Sequence, residues 1–199
     1  MNGIQKSLAV TRKLGLGHAN GSALECAGCL DVFVARSLLA PDDVGPGKAL
    51  LAEIVSILIT MWRATSNRVR EDHAEYRTKK GNLFSHEDLD VYKAGLQLVT
   101  WLESMTTELV CSADLLSKLD KATTAIVLNI AEGNGRFSGT DQAKFFGIAY
   151  KSAVQSASLV DLATAKGPAD VSRVDHGREL LRRIAAMLTS LSKVAAHNS

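Results

Sequence analysis

The feature that most constrains the fold of this chain is an internal repeat between its N-terminal and C-terminal parts. Residues 17–58 align without a gap with residues 147–188. The identical pairs are Gly17/Gly147, Ala19/Ala149, Ser22/Ser152, Ala23/Ala153, Ala27/Ala157, Asp31/Asp161, Ala35/Ala165, Val44/Val174, Gly47/Gly177, Leu50/Leu180, Leu51/Leu181, Ile54/Ile184 and Leu58/Leu188. The glycine, serine and aspartate matches are informative, because the apolar face of a generic helix does not require them. The chain therefore contains two copies of one helical hairpin.

Apolar residues recur with helical spacing almost everywhere, and no stretch alternates as a half-buried strand would. One such stripe consists of Leu115, Leu119, Ala122, Ile126 and Ile130. The three prolines, Pro41, Pro46 and Pro168, are expected at the turns between helices rather than inside them. We predict an all-α protein with helices near residues 6–38, 43–74, 87–111, 114–132, 139–166 and 171–195.

The repeat and the helix pattern together predict the domain organisation. Residues 87–199 form an antiparallel four-helix bundle, because its helices are joined by short connections. Residues 1–74 form an additional helical hairpin that repeats the second half of the bundle. The strongly charged residues 75–86 form the connector between them.

Composition sets limits on the function. With 46% hydrophobic residues and a mean hydropathy of +0.05, the chain can bury a core and is not disordered over most of its length. A net charge of +2 permits a nucleic-acid partner without indicating one. The N-terminus does not resemble a secretory signal, and the longest apolar run contains Glu53 and is short for a bilayer, so we expect a cytoplasmic protein without a membrane contact.

Residues with reactive or metal-binding side chains do not form a recognisable catalytic set. Cys26 and Cys29 are spaced C-x-x-C, but a second pair of ligands for zinc is missing, and we expect two small buried residues on one helix face. The five histidines fall in different segments, with no nucleophile or carboxylate at a recognisable spacing. We therefore predict no enzyme activity, no cofactor and no metal.

The segment LNIAEGNGRFS places a Glu, two Gly and an Arg within five residues. We expect Gly133 and Gly135 to end a helix in left-handed conformations, with Ser138 or Thr140 capping the next helix. A helical pair between Glu132 and Arg136 is then not expected. The cluster would satisfy helix ends or contact a neighbouring subunit, with a ligand-facing Arg136 as the alternative.

Three segments, LDVYKAGLQLV, LNIAEGNGR and FFGIAYKSAV, make residues 89–199 resemble the four-helix bundle family known as 23S rRNA intervening-sequence proteins. The most specific element is the run that contains Asn129, Glu132, Gly133, Gly135 and Arg136.

The N-terminal hairpin resembles the second half of the same bundle. It keeps the family-like Gly21, Ser22 and Glu25, whereas the C-terminal copy has Lys151 and Gln155 at the Gly and Glu positions. A single bundle of the family has no counterpart of this extra hairpin.

The resemblance implies an assembly and a nucleic-acid setting. The family is similar in fold to the accessory variability proteins of diversity-generating retroelements, which are homopentameric and use a basic surface to engage nucleic acid and a reverse transcriptase. For this chain it implies a homo-oligomer, with a pentamer as one possibility, and RNA, DNA or a protein such as a reverse transcriptase as partner.

Two functions follow as hypotheses. The first is a non-catalytic nucleic-acid-associated accessory protein, supporting a reverse transcriptase or an rRNA-linked element, because phosphate contacts need clustered cations. Its candidate residues are Arg63, Arg68, Arg70, Arg77, Lys79, Lys80, Arg136, Arg178, Arg182 and Arg183. The second is an interaction protein that self-assembles through the extra hairpin without binding nucleic acid, because a hairpin with one apolar face must cover that face.

Overall fold

The computed structural model describes residues 3–66, 83–106, 111–165 and 171–197, which contain six α-helices, a 3-10 turn and no β-strand. The helices are α1 (Gly3–Ala35), α2 (Pro41–Ser66), α3 (Asp90–Met105), α4 (Ala113–Gly135), α5 (Gly139–Ala165) and α6 (Val171–His197), and the 3-10 turn is Ser85–Asp88. The predicted all-α class is confirmed.

Helices α3 to α6 form a four-helix arrangement. Helix α4 packs on α3 and α5, and α6 packs on α5 and α3. The core is built from the apolar stripes seen in the sequence, with Leu119, Ile126 and Ile130 of α4 and Ile184 of α6 fully buried. Periodicity alone therefore located most of this core.

The extra hairpin packs on the side of α4 that is opposite to α5. Helix α1 contacts α4 and α3, and α2 packs on α1. Helix α4 consequently lies between α1 and α5. A smaller apolar cluster joins the hairpin to the segment before α3, and its buried members are Ala23, Leu24, Ala27, Val55 and Phe84.

The two hairpin copies match in structure as they do in sequence. Helices α1 and α2 of the first copy correspond to α5 and α6 of the second. Each hairpin is tied by an ion pair at the same place. Asp31 bonds Lys48 in the first copy, and Asp161 bonds Arg178 with an N–O distance of 2.7 Å in the second. The identical pairs of the repeat include the aspartate of this ion pair but not its cation, because Lys48 in the first copy is replaced by Arg178 in the second.

The expectation that prolines lie outside helices is wrong for Pro46. Helix α2 begins at Pro41, where a missing amide costs nothing, and continues through Pro46 in its second turn. Asp42 and Asp43 in the first turn favour this helix start electrostatically. Pro168 lies outside the described residues.

Helix α2 has the length and apolar composition to cross a membrane. The stretch Pro41–Thr65 has a mean hydropathy of 1.5, and 11% of its most apolar window is buried. Core helices of soluble proteins and signal sequences meet the same criterion. One side of α2 packs on α1, and the described residues leave an apolar stripe on its other side uncovered.

The crossing of α6 and α3 depends on Gly177. A Cβ atom there would overlap the Trp101 ring, whose Nε1 donates a 2.8 Å hydrogen bond to the Arg173 carbonyl oxygen. We expect Gly177→Ala to lower the free energy of unfolding by about 1–3 kcal/mol, because the ring must shift. Gly147→Ala is the matched control, since a Cβ atom at that position would meet no atom of the described residues within 4 Å. The control should gain up to about 1 kcal/mol from helix propensity. Urea unfolding of both variants tests this, and equal effects would contradict it.

Candidate functional site

The LNIAEGNGRFS segment does not end its helix at the glycines. Helix α4 runs through Gly133 to Gly135, and no glycine of the described ranges has a positive φ. The prediction of left-handed glycine caps was therefore wrong. The glycines are required for close packing instead. A Cβ on Gly135 would lie 2.8 Å from the Cα of Gly21, and one on Gly133 would lie 3.0 Å from the Cβ of Phe145.

Because the helix continues, Glu132 and Arg136 form the i,i+4 ion pair that a helix end at the glycines would have prevented. Both side chains are nearly buried, at 14% and 8% exposure. The Arg136 guanidinium also lies 4.4 Å from the Phe145 ring centroid, a cation–π contact. Asn129 donates to the Ala125 carbonyl oxygen within the same helix. Contacts within the protein therefore hold Arg136, and its side chain is not presented to solvent.

The helix that follows begins as predicted. Ser138 caps α5, since its Oγ accepts from the Asp141 amide at 3.5 Å and its carbonyl oxygen accepts from the Gln142 amide. The side-chain amide of Gln142 donates a 2.8 Å hydrogen bond to the Arg136 carbonyl oxygen.

The N-terminal hairpin completes this motif. Asn20 donates to the Gly135 carbonyl oxygen at 2.7 Å, and a Cβ on Gly21 would lie 2.8 Å from Arg136 Nε. Burial, followed by the charge and hydrogen bond of Glu132, raises the pKa of the Glu25 carboxyl. The hairpin copy that keeps the family-like Gly21 and Glu25 thus places both residues against the motif.

A small cavity adjoins the motif where α1, α2 and the 3-10 segment meet. It encloses about 90 Å³, and its walls include Leu24, Trp62 and Phe137, the last two stacked with ring centroids 4.6 Å apart. The Asn20 Oδ1 atom is buried without a hydrogen-bond partner in the described structure. This volume suits a few water molecules.

Two side chains of the segment before α3 pack inward, between neighbours that are exposed. Only residues 83–86 of the predicted connector are described, and Phe84 and His86 are buried there. The His86 ring meets Tyr92 edge-on at 4.7 Å, and burial lowers its pKa to about 4, so it is neutral near pH 7. In the sequence His86 is one of several scattered histidines, because nothing local shows that it is buried.

Asp31, His86 and Glu87 place three metal-ligating atoms within 4.8 Å of one another. Lys48 already bonds both carboxylates, and Tyr92 donates to Asp31 at 2.7 Å. The ammonium group therefore holds the position that a cation would take. We infer that this cluster holds the extra hairpin against the 3-10 segment.

Of the predicted basic residues, the structure describes Arg63, Arg136, Arg178, Arg182 and Arg183. Arg178 is paired with Asp161 and Asp175, and Arg182 is paired with Glu179. Arg183 is exposed on α6, and Arg63 is exposed on α2. The other candidates, Arg68, Arg70, Arg77, Lys79 and Lys80, lie outside the described residues.

The C-x-x-C pair lies on α1, as predicted, but Cys26 is exposed and Cys29 is only half-buried. Expecting both to be buried was wrong. Burial raises the pKa of the Cys29 thiol, with neighbouring charges adding to the effect. A raised pKa disfavours the thiolate form of Cys29.

Glu25 provides a test of the motif through pH. Its pKa in the folded protein lies above the ordinary 4.5, so the folded state binds the proton more tightly than the unfolded state. The stability that this proton contributes is full below pH 4.5 and is lost as pH rises through the folded pKa. We therefore expect Glu25→Gln to gain stability relative to wild type as pH rises from 4.5 through the folded-state pKa of Glu25. Glu53→Gln, at an exposed position on α2, is the control. A parallel pH profile for wild type and Glu25→Gln in urea unfolding would contradict this.

Comparison with protein families places the bundle in a known group. Residues 87–190 match the family model described as 23S rRNA-intervening sequence protein. No curated protein and no solved structure gives a significant match. The matched region covers α3 to α5 and most of α6, including the Asn129–Arg136 motif, and excludes the extra hairpin. Since the match spans more than half of the chain, the protein belongs to the 23S rRNA-intervening sequence protein family.

Proposed function

We propose that this protein is a non-catalytic interaction protein that assembles as a homo-oligomer through α2. The observation that carries the proposal is a stripe of exposed apolar side chains along that helix, here called the α2 seam. It consists of Leu50, Ile54, Ile57 and Met61, which are 63%, 46%, 59% and 37% exposed.

The spacing of the α2 seam is that of a coiled-coil interface. Its members are separated by four, three and four residues, which is the alternation of d and a positions in a heptad repeat. The opposite side of the helix is already used, because Val55 is buried and Leu51 packs beside it against α1. The seam is therefore a second apolar face, which favours a partner.

The second copy of the hairpin shows how the equivalent face of α6 is covered. The equivalent positions of α6 are Leu180, Ile184, Met187 and Leu191. Leu180 and Ile184 are buried at 2% and 0% exposure, and the other two pack against the same core. In α6 this face is covered by the rest of the bundle, whereas among the described residues α2 has no corresponding helix from its own chain.

A second copy of the chain suits the seam better than a lipid bilayer does. A membrane-spanning α2 would carry the exposed Glu53 and the Lys48 ion pairs into hydrocarbon, which is costly. When the α2 seams of two copies pack on each other, they form a two-fold symmetric interface, and no other helix is needed to cover them.

Sedimentation velocity tests this proposal. The wild-type chain should self-associate, and the double variant Ile54→Lys/Ile57→Lys should be monomeric, because two charges per chain would be buried at the contact. Leu162→Lys changes an apolar residue of similar exposure on α5 and should leave association unchanged. A monomeric wild type, or a wild type that floats with liposomes while remaining monomeric in buffer, would overturn the proposal.

We propose nucleic-acid association as a second function. Family membership supports it, together with the adjacent exposed residues Arg182 and Arg183 on α6. The ion pairing of Arg178 and Arg182 with nearby carboxylates weakens the field that phosphates would meet. The reverse-transcriptase setting and the cytoplasmic location stay predictions.

Fluorescence anisotropy with a structured RNA and a duplex DNA tests the second function. Binding should weaken steeply as salt rises, and Arg182→Ala/Arg183→Ala should reduce both the affinity and its salt dependence. Lys193→Ala, at an exposed position farther along α6, should have little effect. Salt-independent binding, or none, would remove this function and leave the assembly proposal standing.

A further inference from the structure

We propose that the groove between α5 and α6 is a docking site for a partner protein. The partner segment would carry an aromatic residue followed three positions later by a carboxylate. This groove, here called the outer groove, has a volume of about 320 Å³. Its walls include Ala153, Val154, Ala157, Asp161, Arg178 and Leu181. The proposal is independent of the α2 seam.

The repeat shows what fills an equivalent groove. The counterparts of those six residues in the first hairpin are Ala23, Leu24, Ala27, Asp31, Lys48 and Leu51. There Phe84 packs into the apolar cluster between α1 and α2. Lys48 lies 5.8 Å from the Phe84 ring centroid and bonds Glu87 at 2.8 Å. The segment thus binds by an aromatic side chain and, three residues later, a carboxylate.

The outer groove offers the same chemistry without an occupant from the described chain. Val154 is 47% exposed, whereas its counterpart Leu24 is 2% exposed. Arg178 holds the place of Lys48 and keeps the same aspartate partner. Arg182 adds a second cation where the first hairpin has Ala52. Two arginines beside an apolar trough complement an aromatic residue and a carboxylate.

A second copy of this chain is not the occupant, because its own Phe84 and Glu87 are already held by its α1–α2 hairpin. The wider α1–α4 contact also cannot be repeated on α5. Gly21 and Gly28 permit that contact, since a Cβ there would lie 2.8 Å from Arg136 Nε and 3.3 Å from the Ala131 Cβ. In α5 these positions are Lys151 and Ser158, whose side chains would hold a helix away. A short segment of another protein still has room.

A labelled synthetic peptide of residues 83–96 is a suitable probe, because it carries the aromatic residue and the carboxylate at the observed spacing. We expect it to bind the full chain in fluorescence anisotropy. Val154→Arg should weaken that binding by at least about tenfold, since it places a long charged side chain in the apolar trough. Val194→Arg, at an exposed valine of α6 that does not line the groove, should bind as wild type does. Peptides with Phe84→Ala or Glu87→Gln should bind more weakly than the parent peptide.

Each outcome decides the proposal. Absence of peptide binding to the wild-type chain would overturn it. Undiminished binding to Val154→Arg would also overturn it, because the peptide would then be exchanging with the intrachain segment at the first groove. Circular dichroism of Val154→Arg confirms folding, which the exposure of Val154 favours. The Ile54→Lys/Ile57→Lys variant should bind the peptide normally, so failure of the self-association proposal is distinguishable from failure of this one.

Discussion

The close contact of α1 with α4 is the constraint on which the rest of the structure depends. Gly21 and Gly135 meet so closely that neither could carry a side chain without moving a helix. This contact brings Asn20 and Glu25 to the Glu132–Arg136 pair, and it presents the groove of the first hairpin to Phe84. Together with the ion pairs of Lys48, this contact fixes the position of the extra hairpin on the bundle.

The sequence was informative about features that arise locally. Helical periodicity predicted the helices and most of the buried stripes, and residue identity across the repeat predicted the second hairpin. The Ser138 cap was also predicted, because capping depends on residues within one turn. Such features depend on neighbours a few positions away, which are visible in any short stretch of the chain.

Features set by contacts between distant segments were not predicted. The glycines of LNIAEGNGRFS suggested a helix end, but they serve a helix crossing whose partner lies more than 100 residues away, as the bond between residues 20 and 135 illustrates. Burial of His86 and the shared ion pairs of Lys48 are likewise invisible locally. Similarly, Ile54 is exposed and its repeat partner Ile184 is buried. Because both are isoleucines in equivalent positions, the sequence does not distinguish these two environments.

The order of the elements along the chain has a consequence for folding during synthesis. The α1–α2 hairpin is made first and needs only local contacts, so it can form early. The segment that fills its groove comes after α2, and the α4 surface that receives α1 is made later still. Until α4 has been synthesised, the nascent hairpin presents two uncovered apolar faces. A chaperone, or a neighbouring nascent chain on the same messenger RNA, would meet the protein in that state.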